Sequence, residues 1–270
     1  ARTGLLRFGH GQLTDALLHD GLWDSIVDWG MGDAAEYIAE KFNISRLEMD
    51  EYALQSHAKA IHAIDHGHFR EEILPVEVPG KRGETALVDT DESPRRDTSL
   101  EALQKLKPAF KKDGKVTAGN SPGLNDGAAA LAVASRDLAE KLGVSPLARI
   151  VGYTQAAVEP KELFYAPVVA IPRLLECVGW TMDDVDLIEL NEAFAAQVLA
   201  DGKALRDFGW DWEKVNLQGG AIALGHPIGA SGARILTTLL YSMRRHQKTR
   251  GIAALCLGGS EAVALAVERE

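Results

Sequence analysis

Asn191, His226 and Cys256 each follow a short apolar run, and their side chains are of kinds that accept, donate or hold protons. His226 lies within the stretch Val215 to Arg234, in which an apolar run enters the pair Gly219-Gly220 and continues Ala-Ile-Ala-Leu-Gly-His-Pro-Ile-Gly-Ala-Ser-Gly-Ala-Arg. Glycine lets a backbone turn sharply or approach a neighbour closely, so a turn is expected at Gly219 and Gly220. Pro227 biases His226 away from helical angles, and small and apolar residues then recur at helical spacing. The histidine therefore stands at a helix entrance. The helix dipole there disfavours an imidazolium and leaves a neutral ring able to accept a proton or donate a hydrogen bond. Taken singly, each of the three has a plain structural reading: an incidental histidine in a Gly-rich turn, an asparagine capping a helix, a cysteine buried as a small hydrophobe. The Gly258-Gly259 pair after Cys256 argues for more than burial.

The elements that would position these residues alternate. Val185 to Leu190 reads as a strand ending at Asn191, which turns into a helix; a strand and helix carry the His226 stretch to about Tyr241. Gly251 to Leu257 and Val263 to Glu268 read as two last strands joined at hairpin length by Gly258-Gly-Ser-Glu261. Upstream, Leu147 to Thr154 reads as a strand and Pro172 opens a helix to about Val178. Strands alternating with helices indicate a layered α/β fold. In such sheets the carboxyl ends of strands face the ligand crevice, so Asn191, His226 and Cys256 are candidates for one shared site.

The first 117 residues read as mostly helical and polar. Asp33 is expected to cap a helix from Ala34 to Phe42, and Ser45-Arg-Leu-Glu48 is a capping box for a longer helix that Gly67 stops. That helix carries His57, His62 and His66, with His68 beyond; lacking an HExxH glutamate or a nearby cysteine, they read as a solvated face and not as a metal site. Between Lys81 and Lys115 nine basic residues face seven acidic ones, and Arg95-Arg96 follows Pro94 on a loop where guanidinium groups can fork onto phosphate. Asn120-Ser-Pro-Gly-Leu-Asn-Asp-Gly127 is a turn signal. The apolar run Ala128 to Ala134 after it reads as a strand buried on both faces, and a helix from Ser135 to Leu142 follows.

Composition narrows the function classes. With 46% apolar and 25% charged residues, a chain of 270 residues can bury one large core or two smaller ones. A net charge of -10 argues against nucleic acid, and an anionic small molecule would need a local basic patch. Two cysteines, Cys177 and Cys256, make no disulfide framework and suit a reducing, cytoplasmic setting. No apolar run approaches a membrane span. The stretch Gly225 to Gly232 lacks Gly-Lys-Ser/Thr and no GxGxxG occurs, which excludes the common nucleotide-phosphate loops.

The His226 stretch resembles the signature of the thiolase family, Asn191-Glu-Ala-Phe-Ala-Ala-Gln197 resembles its NEAF motif, and Cys256-Leu-Gly-Gly259 resembles its carboxy-terminal CxGG motif. The resemblance implies a layered α/β/α fold with residues 1–117 as a loop domain that holds coenzyme A, 118–145 as a remnant of the amino-terminal core domain, and 146–270 as the carboxy-terminal domain. It implies acyl transfer on coenzyme A thioesters: Claisen condensation of acetyl-CoA to acetoacetyl-CoA, or thiolysis of 3-ketoacyl-CoA. Cys256 matches the acid/base cysteine, which as a thiolate calls for a lowered pKa. Gly258 matches an oxyanion-hole N–H, His226 the histidine that activates the nucleophile, and Asn191 the residue that fixes an oxyanion-hole water. Arg95, Met31, Phe110, Ala118, Leu124 and Phe194 match positions that contact coenzyme A or line its pantetheine channel. No metal or redox cofactor is implied, and a homo-oligomer, dimer or tetramer, is expected.

The family's nucleophilic cysteine has no counterpart here, since Cys177 sits at a helix end with no motif around it. The amino-terminal core domain is accordingly expected to be largely missing, supplied in cis or by a second chain. A non-catalytic acyl-CoA-binding subunit is the alternative; a ketoacyl synthase relative, which pairs its cysteine with two histidines, fits the Cys256 motif less well. Gly30, Pro122 and Leu163-Phe-Tyr-Ala166 depart from common family residues, and bulky Phe164 and Tyr165 suggest a pocket for short acyl chains.

Overall fold

Local capping signals set the first helices. In the computed structural model, which describes residues 10–80 and 83–269, a ribbon of β1 (Trp23–Asp24) and β2 (Trp29–Gly30) leads into α1 (Met31–Lys41). The N-cap is Gly30, which has no side chain to offer, and its N–H donates to the Asp33 carboxylate at 3.2 Å. Asp33 thus lies inside the first turn and reaches back, so the cap falls three residues before the expected one. Ser45 and Glu48 do form the capping box of α2 (Arg46–Asp65), with Glu48 N to Ser45 Oγ at 3.2 Å and Ser45 N to Glu48 Oε2 at 2.6 Å. Gly67, at φ 68°, follows its end. A second ribbon, β3 (Val76–Pro79) with β4 (Thr85–Val88), and the short α3 (Leu100–Gln104) complete a region less purely helical than its sequence suggests.

Residues 128–134 form no strand and are largely exposed, with Val133 at 75%. A strand needs a neighbour to take its N–H and C=O groups, and among the described residues none runs beside this segment. After it, α4 (Arg136–Leu142) is capped by Ser135 and ends at left-handed Gly143. Then come β5 (Arg149–Ala157) and α5 (Ala166–Val178). Pro167 in the first turn marks the start of α5, and Pro172 lies inside it rather than opening it.

The remaining elements are β6 (Leu187–Leu190), α6 (Ala195–Ala204), α7 (Ala221–Leu224), α8 (Ser231–Arg245), β7 (Arg250–Leu257) and β8 (Glu261–Glu268). The sheet order is β5-β8-β7-β6, antiparallel except for the β6/β7 pair. Side chains alternate across it. Ile188, Leu190, Ile252 and Ala254 pack with α5 residues Ile171 and Leu174, whereas Leu187 and Ala253 pack with α8 residues Ile235, Leu239 and Met243. With helices on both faces, the sheet is the middle of three layers. A further core joins α1, α2 and α6 through Ile38, Met49, Ala53 and Ala196. Among the described residues no helix is long and apolar enough to cross a membrane.

Candidate active site

The parallel pairing of β6 with β7 brings two strand ends together. Leu190 stands opposite Ala254, and Asn191 N donates to Ala254 O at 2.9 Å, two residues before Cys256. The expected strand of the His226 stretch is reduced to isolated bridges, Val215 with Ile188 of β6 and Leu217 with Gly219. Asn216 takes over from there with its side chain: Leu190 N donates to its Oδ1 at 2.9 Å and its Nδ2 donates to Leu190 O at 2.8 Å. An amide side chain has the same donor and acceptor as a peptide, so it extends the ladder while the chain turns away at φ 47°.

The turn at Gly219-Gly220 follows as expected. Gly219 has φ 74°, and a Cβ there would meet Ser56 O at 2.4 Å; a Cβ on Gly220 would lie 2.2 Å from Glu192 Cδ. α7 then ends at Gly225, and His226 occupies the loop before α8. Its Nδ1 lies 2.6 Å from Ser231 Oγ, and that hydroxyl donates its only hydrogen to Pro227 O at 3.1 Å. With that hydrogen on Pro227 O, Ser231 accepts from Nδ1–H, and Nε2 is the bare nitrogen. Nε2 lies 3.4 Å from Asn191 Nδ2. Burial, aided by the Arg234 charge, lowers the ring's pKa to about 4, so His226 is neutral as expected, with burial the principal cause. Asn191 Oδ1 is buried and has no partner among the described residues.

Cys256 is the penultimate residue of β7, opposite Ala262. The strands turn through Gly258–Ser260, and Ser260 Oγ pins the turn by donating to Pro160 O at 2.9 Å. At Gly258 a Cβ would meet nothing within 4 Å, so that backbone faces open space. Cys256 keeps part of its surface yet packs against the core of α1, α2 and α6. Burial, with a smaller contribution from Asp201, pushes its thiol up to about 12. This corrects the expected lowered pKa: burial outweighs the lowering by a backbone hydrogen bond at Cys256 itself. Cys177 lies exposed on α5.

Other expected lining residues separate into two groups. Phe194 meets Phe110 and Phe164 edge-on, with ring centroids 6.2 and 5.4 Å apart, and Met31 packs at the margin of the same core as Phe194 and Cys256. Gly32 admits the Phe110 ring, since a Cβ there would lie 2.1 Å from it. Arg95, Ala118 and Leu124 are exposed. The Arg95 N–H donates to His57 Nδ1 at 3.2 Å, so His57 is buried and tied to the loop; the solvated-face reading fails for it. His62, His66 and His68 cluster with centroids 4.0 to 5.8 Å apart, and no metal-holding group of three or more ligands occurs among the described residues.

Sequence reasoning passed over two features. Ser231 was visible as a hydroxyl five residues past His226, at the start of α8. Glu192 is the other: its buried carboxylate accepts from Tyr52, Ser56, Asn216 and the Ile222 N–H. A cavity of about 410 Å³ lined by Glu48, Tyr52, Lys59, Trp212 and Val215 contains none of Asn191, His226 or Cys256.

Comparison with known proteins identifies the family. Residues 144–269 match the family model described as thiolase, C-terminal domain, and residues 2–137 match thiolase, N-terminal domain. Acetyl-CoA acetyltransferase of Pseudomonas aeruginosa is 53% identical over 270 residues, covering 100% of this chain and 68% of that protein. The crystal structure of the Bacillus anthracis acetyl-CoA acetyltransferase superposes with a TM-score of 0.92 at 45% identity, covering 99% of this chain and 66% of that one. Human mitochondrial 3-ketoacyl-CoA thiolase gives a TM-score of 0.88 at 40% identity, covering 99% and 68%. The chain belongs to the thiolase family and spans about two thirds of the length of these relatives. The match of residues 2–137 to the N-terminal-domain model does not support the expectation that the amino-terminal domain is largely missing.

Proposed function

We propose that the chain carries the acid/base half of an acyl-CoA acyltransferase, which condenses acetyl-CoA to acetoacetyl-CoA or cleaves 3-ketoacyl-CoA with coenzyme A. One observation carries the reading: a neutral His226 whose Nε2 is bare and directed at Asn191, beside the strand end that bears Cys256. In thiolysis, a nucleophilic thiol gives its proton to His226 Nε2 and attacks the 3-keto carbon. The bond between C2 and C3 breaks, and Cys256 protonates the carbanion that leaves as acetyl-CoA. A thiol held at about 12 suits that step, because it rests in its protonated form. Free coenzyme A then takes the acyl group from the nucleophile. In condensation the Cys256 thiolate, formed at greater cost, removes the same α-proton.

Asn191 Oδ1 needs a partner that an ordered water can supply, and that water with His226 Nε2–H would hold the first oxyanion. The open Gly258 backbone suits the second. Met31, Phe110 and Phe194 line the pantetheine arm, Ala118 and Leu124 flank it, and Arg95, exposed on residues 1–117, takes a phosphate. Phe164 fills space against Phe194, which favours short acyl chains. The attacking thiol is neither Cys177, which is exposed on α5, nor Cys256, and comes from a segment outside these residues, in cis or as a second chain. The second reading is a non-catalytic acyl-CoA-binding subunit that keeps the same residues without turnover.

Native mass of the purified particle, intact mass of its components and acetoacetyl-CoA thiolysis together separate the two. Turnover by a particle that contains the added segment supports the enzyme; coenzyme A binding without turnover in a particle of this chain alone supports the subunit.

A further inference from the structure

The proposed chemistry leaves a buried carboxylate without a part. Glu192 is 1% exposed and accepts four hydrogen bonds: Tyr52 Oη at 2.9 Å and Asn216 Nδ2 at 3.2 Å on Oε1, Ser56 Oγ at 2.7 Å and Ile222 N at 3.0 Å on Oε2. These donors come from separate parts of the chain. Tyr52 and Ser56 are on successive turns of α2, Asn216 braces the end of β6, and Ile222 lies in α7, four residues before His226. Ser56 makes a second tie, because its Oγ accepts from Gly220 N at 3.1 Å. Gly220 has no room for a side chain against the Glu192 carboxyl.

Asn191 precedes Glu192 in the chain, and the path to His226 starts at Gly220. Both chain paths that lead from Glu192, one back to Asn191 and one through Gly220 and Ile222 to His226, thus include groups fastened to its carboxylate. A carboxylate is the one side chain with two oxygens that can each accept two such bonds. Glutamine cannot replace it. Its NH2 would face a fixed N–H on either side, Asn216 Nδ2 on one or the Ile222 amide on the other, whereas only Tyr52 and Ser56 can rotate their hydrogens away.

We propose that Tyr52, Ser56 and Glu192 are positioning residues through which helix α2 sets the distance between Asn191 and His226. Helix α2 also reaches toward the Arg95 loop, where His57, the neighbour of Ser56, holds the Arg95 N–H. One helix thus fastens both the loop proposed to take the phosphate and the turn proposed to do the chemistry. The kinetic consequence rests on the acyltransferase reading; the geometric one does not.

The test uses Tyr52→Phe and Ser56→Ala, each of which deletes one hydroxyl and keeps the helix, with Glu192→Gln as the stronger disruption. The side-chain amide resonance of Asn191 and the ring resonances of His226 are recorded in each variant, together with kcat and KM in whichever form of the protein turns over. Expected are displaced Asn191 and His226 resonances in both single variants, and kcat lowered about tenfold with KM within about twofold. Variants that are merely less stable, with both residues' resonances unmoved, overturn the proposal, as does a raised KM at unchanged kcat. Displaced resonances in a protein without turnover leave this proposal standing and sink the acyltransferase reading instead.

Discussion

Acidification tests the account of His226 most cleanly. Its pKa of about 4, against an ordinary 6.5, means the fold favours the neutral ring by roughly 3 kcal/mol. At pH 5.5 only about 3% of rings with that pKa carry a proton, against about 90% for an unperturbed histidine. Because the folded value is lower, the unfolded chain binds the extra proton, and His226 contributes stability that is complete above pH 6.5 and lost as pH falls to 4. A stability curve alone would hide this. Burial raises Glu189 to about 8 and Glu72 to about 7, and each contributes stability below pH 4.5 that is lost as pH rises through its folded value. Between pH 4.5 and 6.5 two carboxyls oppose one histidine. The assay is therefore an NMR titration of the His226 ring from pH 7 to pH 4, with Ser231→Ala to test the tautomer. A wild-type ring that stays neutral down to about pH 4.5, protonated on Nδ1, is expected; a midpoint near 6.5 would refute the burial argument.

Other predictions follow from the same contacts. Ser231→Ala removes the acceptor for Nδ1–H and should reduce turnover roughly tenfold, with Nε2–H gaining population in the ring spectrum. Raising pH from 6.5 to 8.5 should destabilise the fold by roughly 2 kcal/mol as Glu189 ionises, and Glu189→Gln should flatten that slope in denaturant titrations; a level wild-type curve would contradict the burial assigned to it. Gly220→Ala drives a Cβ into Glu192 and should cost roughly 3 kcal/mol by urea unfolding, whereas Gly143→Ala meets open space and should show only the smaller strain of φ 67°. At pH 8 iodoacetamide should label exposed Cys177 first and leave Cys256 unmodified at least about tenfold longer, a contrast read by peptide mass.

What the sequence disclosed was largely local. Ser45 and Glu48 lie three residues apart, so their capping box and α2 were legible, as was the turn at Gly219-Gly220. Asp33 and Pro172 misled because a cap and a first turn use the same residue types at different offsets. The run Ala128 to Ala134 has strand composition, but a strand exists only beside another, and composition does not report a neighbour. At the site the residue types were readable and their electrostatics were not. His226 is neutral chiefly through burial, and Cys256 is shifted upward by packing against elements far away in the chain, such as α1 and α2. Glu192 gave no signal of its role, since two of its four donors lie about 140 residues upstream.

The central claim is that Cys256, and not Cys177, handles the α-proton of a thioester. The direct measurement is coenzyme A-dependent cleavage of acetoacetyl-CoA by the form of the protein that turns over, compared with its Cys256→Ala and Cys177→Ala variants. Loss of at least about a thousandfold is expected for the first, as for removal of an essential acid/base group, and an unchanged rate for the second. Equal losses from both, or activity that survives Cys256→Ala, would contradict it.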